Sequence, residues 1–68
     1  MAEDWLDRLE TERSDVKERL RRLHLWLMDE DNHRMVSTKE LALMMTQSYI
    51  MAGYLEILDI RLTYYKDL

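Results

Sequence analysis

Apolar residues recur at alternating steps of three and four through the second half of the chain. The positions that share this spacing are Leu41, Met44, Ser48, Met51, Leu55, Leu58, Leu62 and Tyr65. Such spacing is typical of a helix that packs against other helices. Further apolar residues fall on the other faces, and no charged side chain occurs from Leu41 through Leu55. Because a surface helix normally has one apolar stripe and a polar back, this helix is expected to be buried on several sides.

The first half of the chain has a second seam with the same spacing. Its positions are Leu6, Leu9, Arg13, Val16, Leu20, Leu23 and Leu27, among which Arg13 alone is charged. The pattern predicts a helix over about residues 3–28. Ser14-Asp15 could begin a new segment, because both residue types favour helix caps, so a kinked or split first helix is the alternative.

A polar run separates the two helices. Residues 29–37 favour a loop, since their short polar side chains bond to their own backbone. Ser37 and Glu40 then fit a capping box at the start of a second helix over about residues 38–66. Each helix would be roughly 40 Å long at 1.5 Å per residue. The prediction is an all-α fold, an antiparallel helical hairpin that forms a single domain over residues 1–68.

The composition favours assembly of several copies. A chain of 68 residues builds only a marginal core on its own, and it has no cysteine with which to form disulfides. The chain has one glycine, Gly53, and a small residue inside a helix often marks a close approach of another backbone. The residues expected at contacts between copies of a homo-oligomeric bundle are Met45, Tyr49, Gly53, Tyr54 and Ile57.

The net charge of −4 argues against binding of long DNA, which needs a basic surface. It leaves room for a small phosphate ligand held by a few arginines. The start of the chain has no signal-peptide layout, and no uninterrupted apolar run reaches the ~20 residues of a membrane span. The expectation is therefore a soluble, cytoplasmic protein with no membrane partner.

Metal binding and catalysis have little support in the pattern. Asp29, Asp31 and Glu40 occupy three positions of an EF-hand frame, but Arg34 replaces the glycine that its sharp turn needs. The two histidines lack the spacing of a zinc site. No serine lies in a glycine-rich nucleophile motif. We therefore predict no metal site, no catalytic residue, no cofactor and no enzymatic activity.

Aromatic and basic residues, all but one of them on the first helix, form the most interesting candidate site. Trp5 could stack on a nucleobase, while arginine side chains hold phosphate in a bidentate manner. The basic candidates are Arg8, Lys17, Arg19, Arg21, Arg22 and Arg61. On residue chemistry alone, the simpler interpretation is favoured: tryptophans in a core, and arginines on a solvated face paired with acidic neighbours.

The second helix also fits a signature of the form LL-x2-Q-x3-M-x2-Y-x2-IL-x2-RI. The matching residues are Leu43-Met44, Gln47, Met51, Tyr54, Ile57-Leu58 and Arg61-Leu62. The first helix fits more loosely, through Trp5-x2-Arg8, Glu12, Arg19-Leu20, Leu23 and Trp26. With these residues the chain resembles small phage proteins related to a crAss-like phage protein, a group that includes the anti-CBASS cyclic-oligonucleotide sponges.

The resemblance implies a specific function. Members of that family form hexamers and sequester cyclic di- and trinucleotide signals of bacterial antiphage defence without cleaving them, in the cytoplasm of the infected host. Their dinucleotide pockets lie between protomers. By position, Trp5 would stack on a base and Arg19 would meet phosphate. Arg8, Arg22 and Arg61 are the further ligand-binding candidates.

Two other interpretations remain open. The chain could be a helical oligomerisation or protein-interaction module with no nucleotide ligand, because its excess apolar surface alone predicts only an assembly. An RNA-binding dimer that uses the basic cluster from Lys17 to Arg22 is the third interpretation, against which the acidic net charge argues.

Overall fold

The described residues form two long helices and one short helix. The structure, a computed structural model, describes residues 2–66, with side chains from Asp4 onward. Helix α1 spans Ala2–Met28, α2 spans Glu30–His33 and α3 spans Thr38–Lys66. The described residues contain no strand, which confirms the all-helical prediction. The predicted domain also included residues 1, 67 and 68, which lie outside the described residues.

Helix α1 continues without a break past Ser14-Asp15, so the alternative of a split first helix is wrong. The seam gives a physical reason for the unbroken helix. Arg13 and Val16 both face α3, and a helix break at Ser14-Asp15 would prevent them from sharing that face. Leu9, Val16, Leu58 and Leu62 form the buried cluster between α1 and α3. Leu58 is the most enclosed of these residues, with none of its surface exposed.

The predicted loop over residues 29–37 is wrong at four of its positions, which form α2. Asp29 caps this helix, since its carboxylate accepts a hydrogen bond of 3.0 Å from the Asp31 backbone N–H. Two residues of α2 also reach back to the end of α1. Asn32 donates to the Trp26 carbonyl, and His33 Nε2 lies 2.7 Å from the Leu27 carbonyl. Helix ends leave such carbonyls without partners, and these contacts supply them.

The start of α3 has the predicted serine cap. Ser37 Oγ accepts a hydrogen bond of 3.0 Å from the Glu40 backbone N–H. Ser48, the polar residue of the α3 seam, is buried and donates its hydroxyl to the Met45 carbonyl at 2.6 Å. This bond within the helix lets a serine occupy a buried position without an unsatisfied hydroxyl.

The outer surface of α3 is unusually apolar. Large side chains that are exposed on it are Leu43, Met45, Tyr49, Ile50, Tyr54, Ile57, Ile60, Tyr64 and Tyr65. An 18-residue window of α3 reaches a mean hydropathy of 1.2, and 11% of that window is buried. By length and composition α3 could therefore cross a membrane. This was not predicted from the sequence, because only uninterrupted apolar runs were considered.

Candidate functional site

A small pocket opens where the first turns of α1 meet the last turns of α3. Its volume is about 240 Å³, and its lining residues are Trp5, Arg8, Leu9, Glu12 and Arg61. We call it the Trp5 pocket. The α1 members share one helix face because they are spaced by three, four or seven residues. Packing of α3 against α1 adds Arg61, so three predicted ligand-binding residues meet here.

Trp5 is held in place by aromatic neighbours but is not buried. Its ring lies edge-on to Tyr65, with centroids 4.7 Å apart, and Tyr65 in turn contacts Tyr64 at 5.1 Å. Such edge-to-face pairs are worth about 0.5–1.5 kcal/mol beyond the area they bury. Trp5 nevertheless keeps 38% of its surface exposed, so it can contact a further flat ring.

The two arginines give the Trp5 pocket its positive charge. The Arg61 guanidinium carbon lies 6.0 Å from the Trp5 ring centroid, at the outer limit of a cation–π contact. Arg8 lines the same pocket one turn after Trp5. Guanidinium groups bind phosphate through two parallel hydrogen bonds, so an aromatic ring and phosphate-binding groups lie side by side.

Arg19 lies in a different place. It lines a second pocket of about 410 Å³ with Val16, Leu23, Gln47, Met51 and Tyr54. Fourteen residues separate Arg19 from Trp5, which is roughly 21 Å along a helix. Within one chain, the predicted base-stacking residue and its predicted phosphate partner are therefore not neighbours. The second pocket instead brings Arg19 to three of the second-helix motif residues.

Arg22 is engaged by an acidic neighbour. Its Nε donates to Glu18 Oε1 at 3.2 Å, while Arg21 donates to both Glu18 oxygens at 2.6 and 2.9 Å. The hydrogen bonds from Arg21 and then from Arg22 lower the pKa of Glu18 from 4.5 to about 2, and those of Arg21 with Glu18 raise the pKa of Arg21. A phosphate that binds Arg22 would have to compete with the Glu18 carboxylate.

The residues expected at contacts between copies all lie on the surface of the single chain. The exposed fractions are 72% for Tyr49, 54% for Ile57, 44% for Met45 and 43% for Tyr54. Gly53 is also exposed, and a Cβ atom built there would have no neighbour within 4 Å. The close approach expected at Gly53 is therefore absent among the described residues of one chain.

Two features of the site were not predicted from the sequence. Glu12, which matched only an acidic position of the resemblance, lines the Trp5 pocket. A larger polar pocket of about 590 Å³ includes Arg13, Asp59 and Lys66. Here Arg13 pairs with Asp59, and Lys66 pairs with Glu10 at 3.0 Å. Arg13 in the apolar seam was a signal for an acidic partner on the other helix, but the seam alone did not identify Asp59.

The described residues contain no group of three His, Asp or Glu side chains that could hold a metal ion. In the stretch that resembled an EF-hand, the Asp29 carboxylate caps α2 and the Ser37 hydroxyl caps α3. Both caps are ordinary structural functions for these residue types.

Comparison with known proteins gives one match. The family model described as Sequestin matches residues 3–64. The chain belongs to the Sequestin family. Sequestins are phage anti-CBASS cyclic nucleotide sponges, which confirms the family suggested by the sequence motifs. No curated protein and no solved structure matches the chain.

The Sequestin match covers all lining residues of the Trp5 pocket and of the second pocket. All five predicted ligand-binding residues lie between residues 3 and 64. The family is one of sequestering sponges and not of enzymes.

Proposed function

We propose that this Sequestin binds cyclic di- and trinucleotide messengers of bacterial antiphage signalling and sequesters them without cleavage, in the cytoplasm of the infected host. One observation carries the proposal beyond family membership. Trp5 and Arg8 lie one turn apart on α1, Arg61 comes from α3, and the three residues line one pocket. An exposed indole beside two guanidinium groups matches a ligand that combines flat bases with phosphates.

The ligand chemistry agrees with this site. A cyclic dinucleotide carries two bases and two negative charges, whereas one protomer offers one Trp5. Two symmetry-related copies would each stack on one base, and stacking is worth roughly 1–3 kcal/mol per base. Charge-assisted hydrogen bonds from the arginines add to this. Because Arg19 lies far from Trp5 in its own chain, Arg19 would meet such a ligand only from another copy or in the second pocket.

We further propose that the protomer is an antiparallel helical hairpin that assembles into a homo-oligomer, a hexamer by family resemblance. The exposed apolar side chains of α3, including Tyr49 and Ile57, support this assembly. Contiguous apolar surface of this kind usually marks an interaction site. A sponge needs affinity and abundance only, so it requires neither a catalytic group nor a cofactor.

Isothermal titration calorimetry with a panel of cyclic di- and trinucleotides tests the binding. The Trp5→Ala variant should lose most of the affinity, because it removes the stacking surface. Trp26→Ala is the matched control: Trp26 lies on the same helix, outside the Trp5 pocket, and contacts His33. Its affinity should be unchanged. Circular dichroism and solution mass would show that both variants keep their helices and assembly.

Two results would contradict the proposal. If no member of the panel binds the unaltered protein, the proposed function is wrong. If the protein binds but Trp5→Ala retains full affinity, the ligand is bound elsewhere, and the second pocket with Arg19 is the next site to alter.

One observation favours a second candidate function. The apolar surface of α3 would by itself suit a protein-interaction module that has no nucleotide ligand. That function predicts a stable assembly that releases no heat with any cyclic nucleotide, so the same titration separates the two candidates.

A further inference from the structure

Glu12 is an unexpected residue in a pocket that would bind an anion. It lines the Trp5 pocket together with Arg8 and Arg61. Two like charges 4 Å apart repel by about 1 kcal/mol in water and by about 4 kcal/mol near a protein surface. A carboxylate beside a phosphate would therefore weaken binding, unless it contacts another part of the ligand.

The simplest structural explanation for Glu12 does not hold. Arg8 and Glu12 are four residues apart, a spacing at which helical side chains often form an ion pair. Among the side chains of residues 4–66, however, the ion pairs within 4.0 Å do not include Glu12. Glu18, Asp59 and Glu10 do have basic partners in the same residues. Glu12 thus lines the pocket without an ion-pair partner among these residues.

The positions of the groups suggest which part of the ligand Glu12 meets. Side chains on a helix tilt toward its N-terminus, so Glu12 is expected to lean over the preceding turn, which carries Arg8, on the side of the pocket toward Trp5. A base stacked on the Trp5 indole would extend an edge into the space that these residues line. The guanidinium groups of Arg8 and Arg61 would bind the phosphate, and the Glu12 carboxylate would contact the edge of the base.

We infer that Glu12 selects guanine over adenine in the ligand of the Trp5 pocket, an inference that rests on the proposed function. An ionised carboxylate has two acceptor oxygens and no donor. The Watson–Crick edge of guanine presents two neighbouring donors, N1–H and the N2 amino group, which fit those oxygens in a bidentate pair. Adenine presents one donor, its N6 amino group, beside the N1 lone pair. That lone pair would face the second oxygen and repel it.

The size of the preference follows from known bidentate contacts to bases. Such a contact discriminates against the wrong base by tenfold or more, and tenfold is about 1.4 kcal/mol at 25 °C. We therefore expect cyclic di-GMP to bind at least about tenfold more tightly than cyclic di-AMP. Both ligands have the same phosphates and the same ring size, so the difference reports on the bases.

The test is calorimetric titration of the full chain and two variants with cyclic di-GMP and cyclic di-AMP. Glu12→Gln keeps the shape of the side chain but replaces one acceptor by a donor. It should reduce the guanine preference to about twofold or less, mainly by weakening cyclic di-GMP. Glu10→Gln is the matched control: it makes the same change two residues away, at a carboxylate that pairs with Lys66. It should keep the preference.

Each alternative result has a distinct meaning. Equal binding of the two ligands by the unaltered protein would overturn the inference and leave the proposed function intact. If Glu12→Gln tightens both ligands equally, Glu12 acts only through its charge, and the inference is again overturned. If neither these ligands nor the wider panel binds, the proposed function fails, and the inference fails with it.

Discussion

Arg13, a residue of the α1 seam, forms an ion pair with α3. Its Nε donates to Asp59 Oδ1, and the two side chains are 34% and 46% exposed. The pair is therefore partly screened by solvent, and a contribution of about 1 kcal/mol to the free energy of unfolding is expected. Arg13→Met keeps the apolar stem of the side chain and should lose about that amount in urea unfolding.

A second ion pair provides the control for Arg13. Arg34 lies 3.9 Å from Asp31, and both side chains are more than 80% exposed. Arg34→Met should therefore change the free energy of unfolding by only a few tenths of a kcal/mol. Equal losses in the two variants would show that the Arg13 pair does not stabilise the packing of α1 on α3.

The stabilisation that Glu18 provides through its hydrogen bonds should depend on pH. Its pKa is lowered to about 2 by hydrogen bonds from Arg21 and Arg22. A lowered pKa in the folded state means that the stabilisation is present above the ordinary value of 4.5 and is lost as the pH falls through about 2. Because Glu18 is on the surface, the effect on stability is small, and the titration itself is the better measurement.

Titration of the Glu18 carboxyl carbon by NMR should show a midpoint near pH 2. In Arg21→Gln the midpoint should move back toward 4.5, because the largest cause of the shift has been removed. A midpoint near 4.5 in the unaltered protein would show that the arginines do not hold the carboxylate in solution.

The exposed apolar surface of helix α3 predicts an assembly of several copies. A substitution at Gly53 tests whether this part of α3 lies in a contact between copies. A Cβ atom at Gly53 has no neighbour within 4 Å in the single chain. A larger side chain is thus harmless to the protomer and could disturb only contacts with another copy. Gly53→Leu should keep the helical content, since leucine favours helices by roughly 0.7–0.8 kcal/mol over glycine. It should at the same time lower the mass of the assembly.

Ala42→Leu is the matched control for Gly53→Leu, because Ala42 is also an exposed small residue of α3. Its solution mass by light scattering should equal that of the unaltered protein. If Gly53→Leu also leaves the mass unchanged, the contacts between copies do not include Gly53.

The long helices could be predicted from the sequence because their apolar spacing is a local property. The predicted seams include the residues that the structure buries, among them Val16 and Leu58. Helix α2 was missed because its stability comes from contacts with the end of α1 and not from a periodic pattern. The short polar residues in 29–37 are typical of both loops and helix caps, so the sequence alone did not distinguish the two.

The candidate site was predictable only in part, for a related reason. Sequence motifs identified Trp5, Arg8 and Arg61 as candidates, but their meeting in one pocket depends on the register between α1 and α3. The same register separates Arg19 from Trp5. Sequence motifs do not show how α1 and α3 are aligned against each other. They could therefore not predict which candidate residues line which pocket.

At the scale of the whole molecule, the exposed apolar surface of α3 needs a cover. Other copies of the chain, a different protein and lipid are the physical alternatives, and lipid is among them because α3 meets the length and hydropathy of a membrane span. The proposed assembly predicts that the purified protein is a homo-oligomer in buffer without detergent, by analytical ultracentrifugation. A stable monomer, or a protein that needs detergent to remain in solution, would contradict it.

Sequestration without cleavage is the central claim, and recovery of the ligand tests it most directly. The protein is incubated with the cyclic nucleotide panel, separated from free ligand by gel filtration and denatured by heat. Chromatography with mass spectrometry then identifies what is released. We expect a cyclic nucleotide to elute with the protein and to be released intact. Absence of any bound nucleotide, or release of a linear product, would contradict the account.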